Sequence, residues 1–323
     1  MKKALITGIN GQDGSYLAEF LLDKGYDVYG ILKRNSVSEN QTFRIDHIRD
    51  KIKLFYGDIL DLASLISVVK ESQPDELYNL AAQSHVRISF DMPVYTTQTN
   101  CIGTLNVLES VRMIKPDTKI YQASSSEMFG NSIDTDNYQR ESTSMHPVSP
   151  YGCSKLFGYN LVKNYRHSYN MFISNGILFN HESPRRGTNF VTNKVCKEVV
   201  RIKLGLSNRL SLGNILSTRD WGHAKDYVRA MWQILNLDQS DDFVCATGIS
   251  HSVEYLVDYT FDKLNLSKEK FLNIDPRFFR PEELYNLKGD TSKLKNKTGW
   301  NTSYTFESMI DEMIAYWFNM YKI

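Results

Sequence analysis

The chain has 323 residues, of which 41% are hydrophobic and 23% charged, and its 38 Lys and Arg balance 37 Asp and Glu to a formal net charge of +1. This composition is ordinary for a globular enzyme and excludes fibrous, low-complexity and largely disordered chains. Because positive and negative residues are interspersed, no nucleic-acid or membrane-surface ligand is indicated, and any anionic ligand must be held locally.

Cysteine, histidine and apolar residues are distributed in ways that exclude further classes. Cys101, Cys153, Cys196 and Cys245 form no CxxC pair, so we predict neither a zinc site nor a disulfide scaffold and interpret all four as reduced core residues. The seven histidines show no metal-ligand spacing, and no metal is predicted. No apolar stretch is long enough for a signal-peptide core or a membrane span, so a cytosolic location is expected.

The first half of the chain alternates predicted strands with predicted helices. The strand-like runs are residues 2–7, 27–32, 52–56, 76–81, 119–123 and 172–179. Helical patterns cover residues 62–72, a segment in which Val107, Leu108, Val111 and Ile114 share one face, and residues 150–169. Such alternation predicts an α/β fold of the Rossmann type, a doubly wound parallel sheet covered on both faces.

The pattern loosens beyond residue 179, and residues 180–187 combine Pro, Gly and two Arg. We therefore predict a sheet domain over residues 1–180 and a smaller, mixed C-terminal domain over residues 181–323, with some later segments returning to the first. Helices are predicted at residues 191–204, 223–237 and 253–264 and at the end of the chain. In the final helix the apolar residues fall on one face, which predicts that this face packs in the core. These residues are Phe306, Met309, Ile310, Met313, Ile314 and Trp317.

Gly8, Gly11 and Gly14 lie between the first predicted strand and an amphipathic helix. Backbone amides and the helix dipole at such a junction can hold a pyrophosphate, and glycine lets the ligand approach the main chain. Alternatively, the glycines form a tight turn that brings the helix close to the strand and binds no ligand.

The residues after the second strand bear on the choice of cofactor. An NAD-binding fold usually offers an acid there, whereas this chain has Lys33, Arg34, Asn35 and Ser36. Two cations favour the 2′-phosphate of NADP over NAD. A solvated basic loop is the alternative.

Tyr151 and Lys155 lie four residues apart after Ser149 and Pro150, a predicted N-cap and first-turn proline. The spacing places the phenol and the ammonium on one helical face. A nearby ammonium stabilises tyrosinate and can lower the phenol pKa toward neutrality, which suits an acid or base for a hydroxyl group. By itself the pair is a weak signal.

Hydroxyl groups and one carboxylate follow the predicted strand at residues 119–123. Residues 124–126 are serines, and Glu127 comes next. Ligands of open parallel sheets bind at the carboxyl ends of strands, which makes Glu127 a candidate catalytic acid or base. The alternative is a solvated glutamate.

Taken together, residues 8–14, 79–82, 124–130 and 151–155 resemble the extended branch of the short-chain dehydrogenase/reductase superfamily, whose members modify nucleotide-linked sugars. More narrowly, residues 11–22, 176–187 and 219–227 resemble the GDP-mannose 4,6-dehydratase family, and the similarity continues through residues 280–283 to the last helix. The resemblance implies oxidation of C4 of GDP-mannose by bound NADP, loss of water across C5 and C6, and return of the hydride to C6. The implied product is GDP-4-keto-6-deoxymannose, a precursor of GDP-deoxyhexoses such as GDP-fucose or GDP-rhamnose.

The resemblance also implies catalytic roles. Tyr151 would be the base at the C4 hydroxyl, and Lys155 would hold the nicotinamide ribose and lower the pKa of Tyr151. Ser125, where the family usually has Thr, would bind the C4 oxygen. Glu127 would take the C5 proton and help to expel the C6 hydroxyl.

Binding residues are implied in the same way. For NADP, held mainly by the first domain, they are Gly8, Asn10, Gly11, Gln12, Asp13, Gly14, Arg34, Asp58, Ile59, Leu80, Ala82, Ser84, Tyr95, Tyr151, Lys155, His181 and Arg186. For GDP-mannose, held mainly by the second domain, they are Ser84, Ser125, Asn180, Lys194, Arg219 and Arg280. Arginine suits bidentate contact with phosphate, although Arg219 and Arg280 also fit ordinary ion pairs. The resemblance further implies a homo-oligomer, either a dimer or a tetramer.

Three alternatives remain open at this point. An epimerase of the same superfamily needs no base at C5, so Glu127 argues against it. A dehydratase for dTDP-glucose would carry Asp directly before that Glu, and Ser126 stands there instead. A non-catalytic nucleotide-binding protein would share the fold, because fold alone does not prove function. Intact Tyr151 and Lys155 argue against this third possibility.

Overall fold

The structure, a computed structural model, describes residues 1–36 and 41–321. Its strands are β1 Lys3–Thr7, β2 Asp27–Leu32, β3 Lys53–Tyr56, β4 Glu76–Asn79, β5 Lys119–Ser125, β6 Ile173–Leu178, β7 Asn180–Glu182, β8 Leu210–Leu212, β9 Thr218–His223, β10 Asp242–Cys245, β11 Ser250–Ser252 and β12 Leu272–Ile274. Its α-helices are α1 Gln12–Asp23, α2 Leu62–Ser72, α3 Val86–Asp91, α4 Pro93–Thr97, α5 Gly103–Ile114, α6 Pro150–Ser168, α7 Val191–Lys203, α8 Ala224–Leu235, α9 Val253–Lys263, α10 Lys268–Phe271, α11 Ser292–Thr298 and α12 Phe306–Tyr321. Short helical turns of other types cover Asp46–Lys51, Gln98–Ile102, Ser126–Phe129 and Pro276–Phe278.

Seven strands form one sheet in the order β10-β6-β5-β4-β1-β2-β3. Every neighbouring pair in it is parallel, which confirms the predicted α/β fold of the Rossmann type. The carboxyl ends of all seven strands therefore lie along one edge. The strand order reverses between β1 and β4, and in such sheets the crevice at the reversal is where ligands bind.

The second half of the chain contributes to this sheet as well as to a core of its own. β10 pairs with β6, and α8 packs on α1, so segments after residue 223 complete the large sheet and one of its faces. The separate core gathers side chains of α7, α9 and α12, and the six-residue stripe predicted on the last helix is buried there, as predicted. The division of the chain at residue 180 stays a prediction.

Cysteine burial differs in part from the prediction. Cys101, Cys196 and Cys245 are buried free thiols, whereas Cys153 is free and exposed. The cause is helical geometry, because α6 directs Tyr151 and Lys155 inward and leaves Cys153, between them, on the opposite face. In the parts of the chain that are described, no helix combines the length and apolar character needed to cross a membrane.

Candidate active site

A cleft of about 620 Å³ runs along the carboxyl edge of the large sheet, from the turn after β1 to the loop that carries Arg280. Its volume lies in the range typical of ligand sites. Most of the residues predicted for the site line this cleft. They are Gly8, Asn10, Gly11, Gln12, Asp13, Gly14, Asp58, Ile59, Leu80, Ala82, Ser84, Tyr95, Ser125, Glu127, Tyr151, Lys155, Asn180, His181, Arg186, Lys194, Arg219 and Arg280. Arg34 does not line it.

The glycine turn leaves room for a ligand at the start of α1. Gly8 has a φ of +70°, and a Cβ there would lie 3.0 Å from the backbone nitrogen of Ala81, so only glycine fits without strain. Gly11 is the N-cap of α1 and makes no side-chain capping bond, in contrast to Ser149 at α6. The first amides of α1 are thus available to an anion, and the turn fits the pyrophosphate of a dinucleotide.

Asp13 and His181 form a buried pair beside this turn. His181 places Nε2 2.7 Å from Asp13 Oδ2 and Nδ1 2.7 Å from the Phe179 carbonyl oxygen. Because a carboxylate and a carbonyl only accept, both ring nitrogens donate and the imidazole is charged. Burial alone would raise the pKa of Asp13 and lower that of His181, but their mutual attraction outweighs it, lowering the first pKa and raising the second. The pair joins the start of α1 to β7.

The first turn of α6 brings Tyr151 against the loop after β5. The Ser149 side chain caps the helix by accepting from the Gly152 amide at 3.0 Å, which confirms the predicted N-cap. The Tyr151 amide donates to the buried Ser89 hydroxyl at 3.2 Å. A Cβ at Gly152 would lie 2.8 Å from the Glu127 carbonyl oxygen, so glycine there allows the close approach of the two segments. This packing places Tyr151 and Glu127 in one cleft.

Lys155 and Tyr151 are both buried, and their pKa values respond to burial more than to each other. The Lys155 ammonium donates to the Ala123 carbonyl at 2.8 Å, and burial lowers its pKa to about 8. Burial raises the pKa of Tyr151 to about 12, against the opposing hydrogen bond from Ser125. This shift is opposite to the predicted lowering by Lys155. The reason is that the ammonium lies 5.9 Å from the centre of the phenol ring and is bonded to a carbonyl instead.

Glu127 lies on the short turn Ser126–Phe129 and is 7% exposed. Its backbone amide donates to the Ser125 hydroxyl at 3.2 Å, which fixes the start of the turn. Oε1 accepts from Arg280 Nη1 at 3.2 Å. Oε2 is buried and has no hydrogen-bond partner within the described residues. A buried carboxylate oxygen without a partner, in a cleft, is free to accept a proton from a ligand.

Two arginines reach the same end of the cleft. Arg219 is buried and its Nη1 donates to the carbonyls of Thr218 and Leu284 at 2.8 and 3.0 Å. Burial lowers its pKa to about 10, and repulsion from Arg280 acts in the same direction. Lys194, half-buried beside the Phe278 ring at 3.9 Å, adds a third cation. Positive charge is therefore concentrated where an anionic ligand group can enter.

The basic residues after β2 are only partly in the cleft. Lys33 lines it and its Nζ lies 3.0 Å from Asp58 Oδ2, while Arg34 is exposed and outside the lining. The prediction that Arg34 binds the cofactor stays a prediction. β2 ends at Leu32, and Arg34 follows it on an exposed segment; residues 37–40 lie outside the described part of the chain.

Several lining residues were not predicted from the sequence. Glu283 lines the cleft, and its Oε1 accepts a hydrogen bond from the Arg280 amide at 3.1 Å. Residues 280–283 resemble the dehydratase family in sequence, and this resemblance could have identified Glu283 as a site residue. Phe190 and Asn214 also line the cleft, and no sequence motif around them indicated a site residue. The Phe190 ring lies 3.6 Å from the Arg186 guanidinium. The described residues contain no cluster of three or more His, Cys, Asp or Glu side chains that could hold a metal ion.

Comparison with known proteins assigns the chain to a family. The family model described as GDP-mannose 4,6 dehydratase matches residues 5–313. The chain belongs to the GDP-mannose 4,6-dehydratase family. It is 48% identical to the GDP-mannose 4,6-dehydratase of Yersinia enterocolitica, over 98% of this chain and 93% of that protein. It is likewise 48% identical to GDP-mannose 4,6 dehydratase 1 of Arabidopsis thaliana, over 97% of this chain and 89% of that protein.

Solved structures agree with the fold. The UDP-glucose 4-epimerase of Thermus thermophilus in complex with NAD superposes with a TM-score of 0.86 at 21% identity, covering 99% of this chain and all of that one. At this identity the likeness shows the fold alone. Membership of the dehydratase family confirms the predicted superfamily and the predicted enzyme class, a hydro-lyase. It decides against the epimerase and the non-catalytic alternatives.

Proposed function

We propose that the protein converts GDP-mannose to GDP-4-keto-6-deoxymannose and water, with NADP recycled in each turnover. The observation that carries the proposal is the placement of the Glu127 carboxylate in the same cleft as Tyr151 and Ser125. A dehydrogenase or epimerase needs the tyrosine and the serine, but only elimination across C5 and C6 needs a carboxylate base beside them.

The first step is oxidation at C4 of the mannose. Tyr151 accepts the C4 hydroxyl proton, and Ser125 donates a hydrogen bond to the C4 oxygen. Lys155 holds positive charge on this side of the cleft below pH 8, where its buried ammonium is protonated. When bound, NADP accepts the C4 hydride, returns a hydride to C6 and brings a positively charged nicotinamide ring that favours tyrosinate. Burial raises the pKa of Tyr151 to about 12, so a positive charge that favours tyrosinate assists this step.

Elimination follows at C5 and C6. The C4 carbonyl acidifies the C5 hydrogen, and Glu127 takes this hydrogen as a proton. The electron pair of the broken C5–H bond forms the C5–C6 double bond. The C6 hydroxyl leaves and is protonated to water by the same carboxyl group. Hydride addition to C6 and protonation of C5 then give the 4-keto-6-deoxy sugar. The proton for C5 is the one that Tyr151 took from the C4 hydroxyl, and Glu127 has already given its proton to the departing water, so both groups return to their starting protonation states.

The diphosphate is proposed to bind among the cations at the other end of the cleft. Arg219 and Arg280 suit bidentate contact with phosphate oxygens, and Lys194 lies on the same side. Asn180 and Ser84 line the cleft between these cations and the catalytic group and are proposed to bind the sugar or its phosphate. Strong positive charge in a partly enclosed cleft favours a dianionic linker over a neutral sugar.

The reaction is tested with GDP-mannose carrying deuterium at C4 and a catalytic amount of NADP. We expect the keto product to carry the deuterium at C6, without net formation of NADPH, because the hydride does not leave the site between the two transfers. Mass spectrometry and proton NMR of the product locate the label. Loss of the label to solvent, or a need for one NADP per product, would show a simple dehydrogenase instead.

The choice of NADP over NAD is a finer part of the proposal. It is supported by Lys33 and Arg34, which stand where an NAD enzyme carries an acid, and by the position of Lys33 in the cleft wall. Asp58 neutralises Lys33 in the present structure, which leaves Arg34 as the cation available to a 2′-phosphate.

Replacing Arg34 by Ala tests this preference. We expect unmutated protein to bind NADP more tightly than NAD, and Arg34→Ala to narrow that preference by about tenfold, the equivalent of one charge-assisted hydrogen bond. Fluorescence or calorimetric titration with both cofactors gives the ratio. Arg49→Ala is the matched control, because Arg49 is exposed on the turn Asp46–Lys51 and outside the cleft lining. Equal affinities in unmutated protein would refute the NADP assignment.

The proposal also includes a cytosolic location and assembly into a homo-oligomer, a dimer or a tetramer. Assembly is supported by exposed apolar side chains on or beside α5 and α6, namely Ile102, Met113 and Phe157. Exposed apolar groups that lie near one another favour burial against a partner.

A further inference from the structure

We propose that Arg280 couples recognition of the diphosphate to the release of Glu127: without substrate its guanidinium is held by the catalytic carboxylate, and a bound diphosphate competes for it. In this role Arg280 is a positioning residue for Glu127, in addition to being a phosphate ligand. The inference rests on the proposed function, because it takes Glu127 as the base and a sugar diphosphate as the substrate.

The ion pair joins two residues with different tasks. Arg280 Nη1 lies 3.2 Å from Glu127 Oε1, and the two side chains are 25% and 9% exposed. Glu127 lines the cleft, and its Oε2 has no hydrogen-bond partner within the described residues, whereas Oε1 is occupied by Arg280. Removal of the guanidinium would leave both oxygens available for proton transfer.

Arg280 is better suited to this exchange than Arg219. The Arg219 guanidinium is buried, and its Nη1 is held in place by two backbone carbonyls, those of Thr218 and Leu284. Within the described residues, the Arg280 guanidinium has one side-chain partner, Glu127. Its backbone is held separately, because its amide donates to Glu283. The guanidinium can therefore change partner while the loop keeps its position.

The charges at this end of the cleft favour the exchange. Arg219, Arg280 and Lys194 bring three positive charges to this end of the cleft, against the carboxylates of Glu127 and Glu283. Burial lowers the pKa of the Arg219 guanidinium, and repulsion from Arg280 acts in the same direction. A diphosphate brings at least two negative charges and accepts bidentate hydrogen bonds from Arg280. Its binding relieves the repulsion between the arginines. The loss of one hydrogen bond to Glu127 is the cost, so Glu127 acts as an internal competitor of the diphosphate.

A double-mutant cycle with GDP as the probe tests the coupling, with NADP present in every arm. We expect Glu127→Gln to bind GDP about five- to tenfold more tightly than unmutated protein, the range of a partly exposed charge-assisted hydrogen bond. In the Arg280→Gln background the same replacement should give no gain, because there is no guanidinium to release. Isothermal titration calorimetry measures the four affinities. If Arg280→Gln does not fold, Arg280→Met keeps an unbranched stem of similar length and serves in its place.

Each other outcome contradicts the proposal. If Glu127→Gln tightens GDP binding equally with and without Arg280, simple repulsion between Glu127 and the phosphates is sufficient. If it leaves the affinity unchanged or weakens it, Glu127 does not compete for Arg280. If unmutated protein does not bind GDP, the proposed function fails as well. Arg277→Gln is the control for loss of charge from this loop, since Arg277 is 85% exposed and pairs with Asp275 outside the cleft lining.

Discussion

Glu127→Gln is expected to slow the elimination of water by a factor on the order of 10² to 10⁴, the usual contribution of a positioned acid or base. Gln keeps the size of the side chain, but its neutral amide neither holds the Arg280 guanidinium by charge nor accepts the C5 proton. Folding and NADP binding should persist, and GDP-mannose should still bind. The measurement is the rate of formation of the keto product, together with the rate at which the C5 hydrogen exchanges with deuterated solvent.

Oxidation at C4, measured by itself, distinguishes a specific loss of elimination from general damage to the site. In the proposed mechanism, oxidation at C4 depends on Tyr151, Lys155 and Ser125, so Glu127→Gln should still form some enzyme-bound reduced nicotinamide on addition of GDP-mannose. Glu127→Asp, which keeps a carboxylate on a shorter stem, is expected to retain part of the elimination rate. Dehydration by Glu127→Gln at the unmutated rate would show that another group removes the C5 proton.

Tyr151→Phe is expected to abolish oxidation itself, with a loss again on the order of 10² to 10⁴ in rate. Phe retains the buried ring but has no hydroxyl to accept the C4 proton. Unlike Glu127→Gln, this variant should form no reduced nicotinamide on addition of GDP-mannose, because the block precedes hydride transfer. Stopped-flow absorbance of the nicotinamide under single-turnover conditions separates the two variants.

Tyr159→Phe is the matched control on the same helix. The Tyr159 hydroxyl is buried and donates to Asp242 Oδ2 at 3.0 Å, away from the cleft lining. Its loss should lower the free energy of unfolding by about 1 kcal/mol, the usual net value of a hydrogen bond, without changing the rate per folded molecule. Reduced nicotinamide formed by Tyr151→Phe at the unmutated rate would exclude Tyr151 as the C4 base.

The pKa of Tyr151 also bears on the order of events. Burial holds the phenol protonated in the described structure, and Lys155 is bonded to the Ala123 carbonyl rather than directed at the phenol oxygen. Tyr151, the proposed C4 base, is therefore a neutral phenol in the described structure.

The amino-acid sequence by itself determined the local elements. The strand Asp27–Leu32 and the helix Leu62–Ser72 have the predicted limits, and the Ser149 cap of α6 and the buried stripe of α12 are as predicted. These features depend on hydrophobic period and capping within a few residues, so short stretches of sequence are sufficient. The turn after β1 was likewise predicted from local spacing, whereas the roles of the catalytic segments were implied by the resemblance to a family and stay predictions. Three-residue strands such as β8 and β11 have no period and were missed.

Only the tertiary structure decided which of these segments meet and what the contacts do to their charges. Asp13 pairs with His181 across 168 residues, and Arg280 pairs with Glu127 across 153. The exposure of Cys153 and the raised pKa of Tyr151 follow from packing around α6. Distances between residues far apart in sequence, and the desolvation that shifts a pKa, depend on how whole elements pack. No local pattern records that packing, which is why the partner of the catalytic carboxylate was visible only in the folded chain.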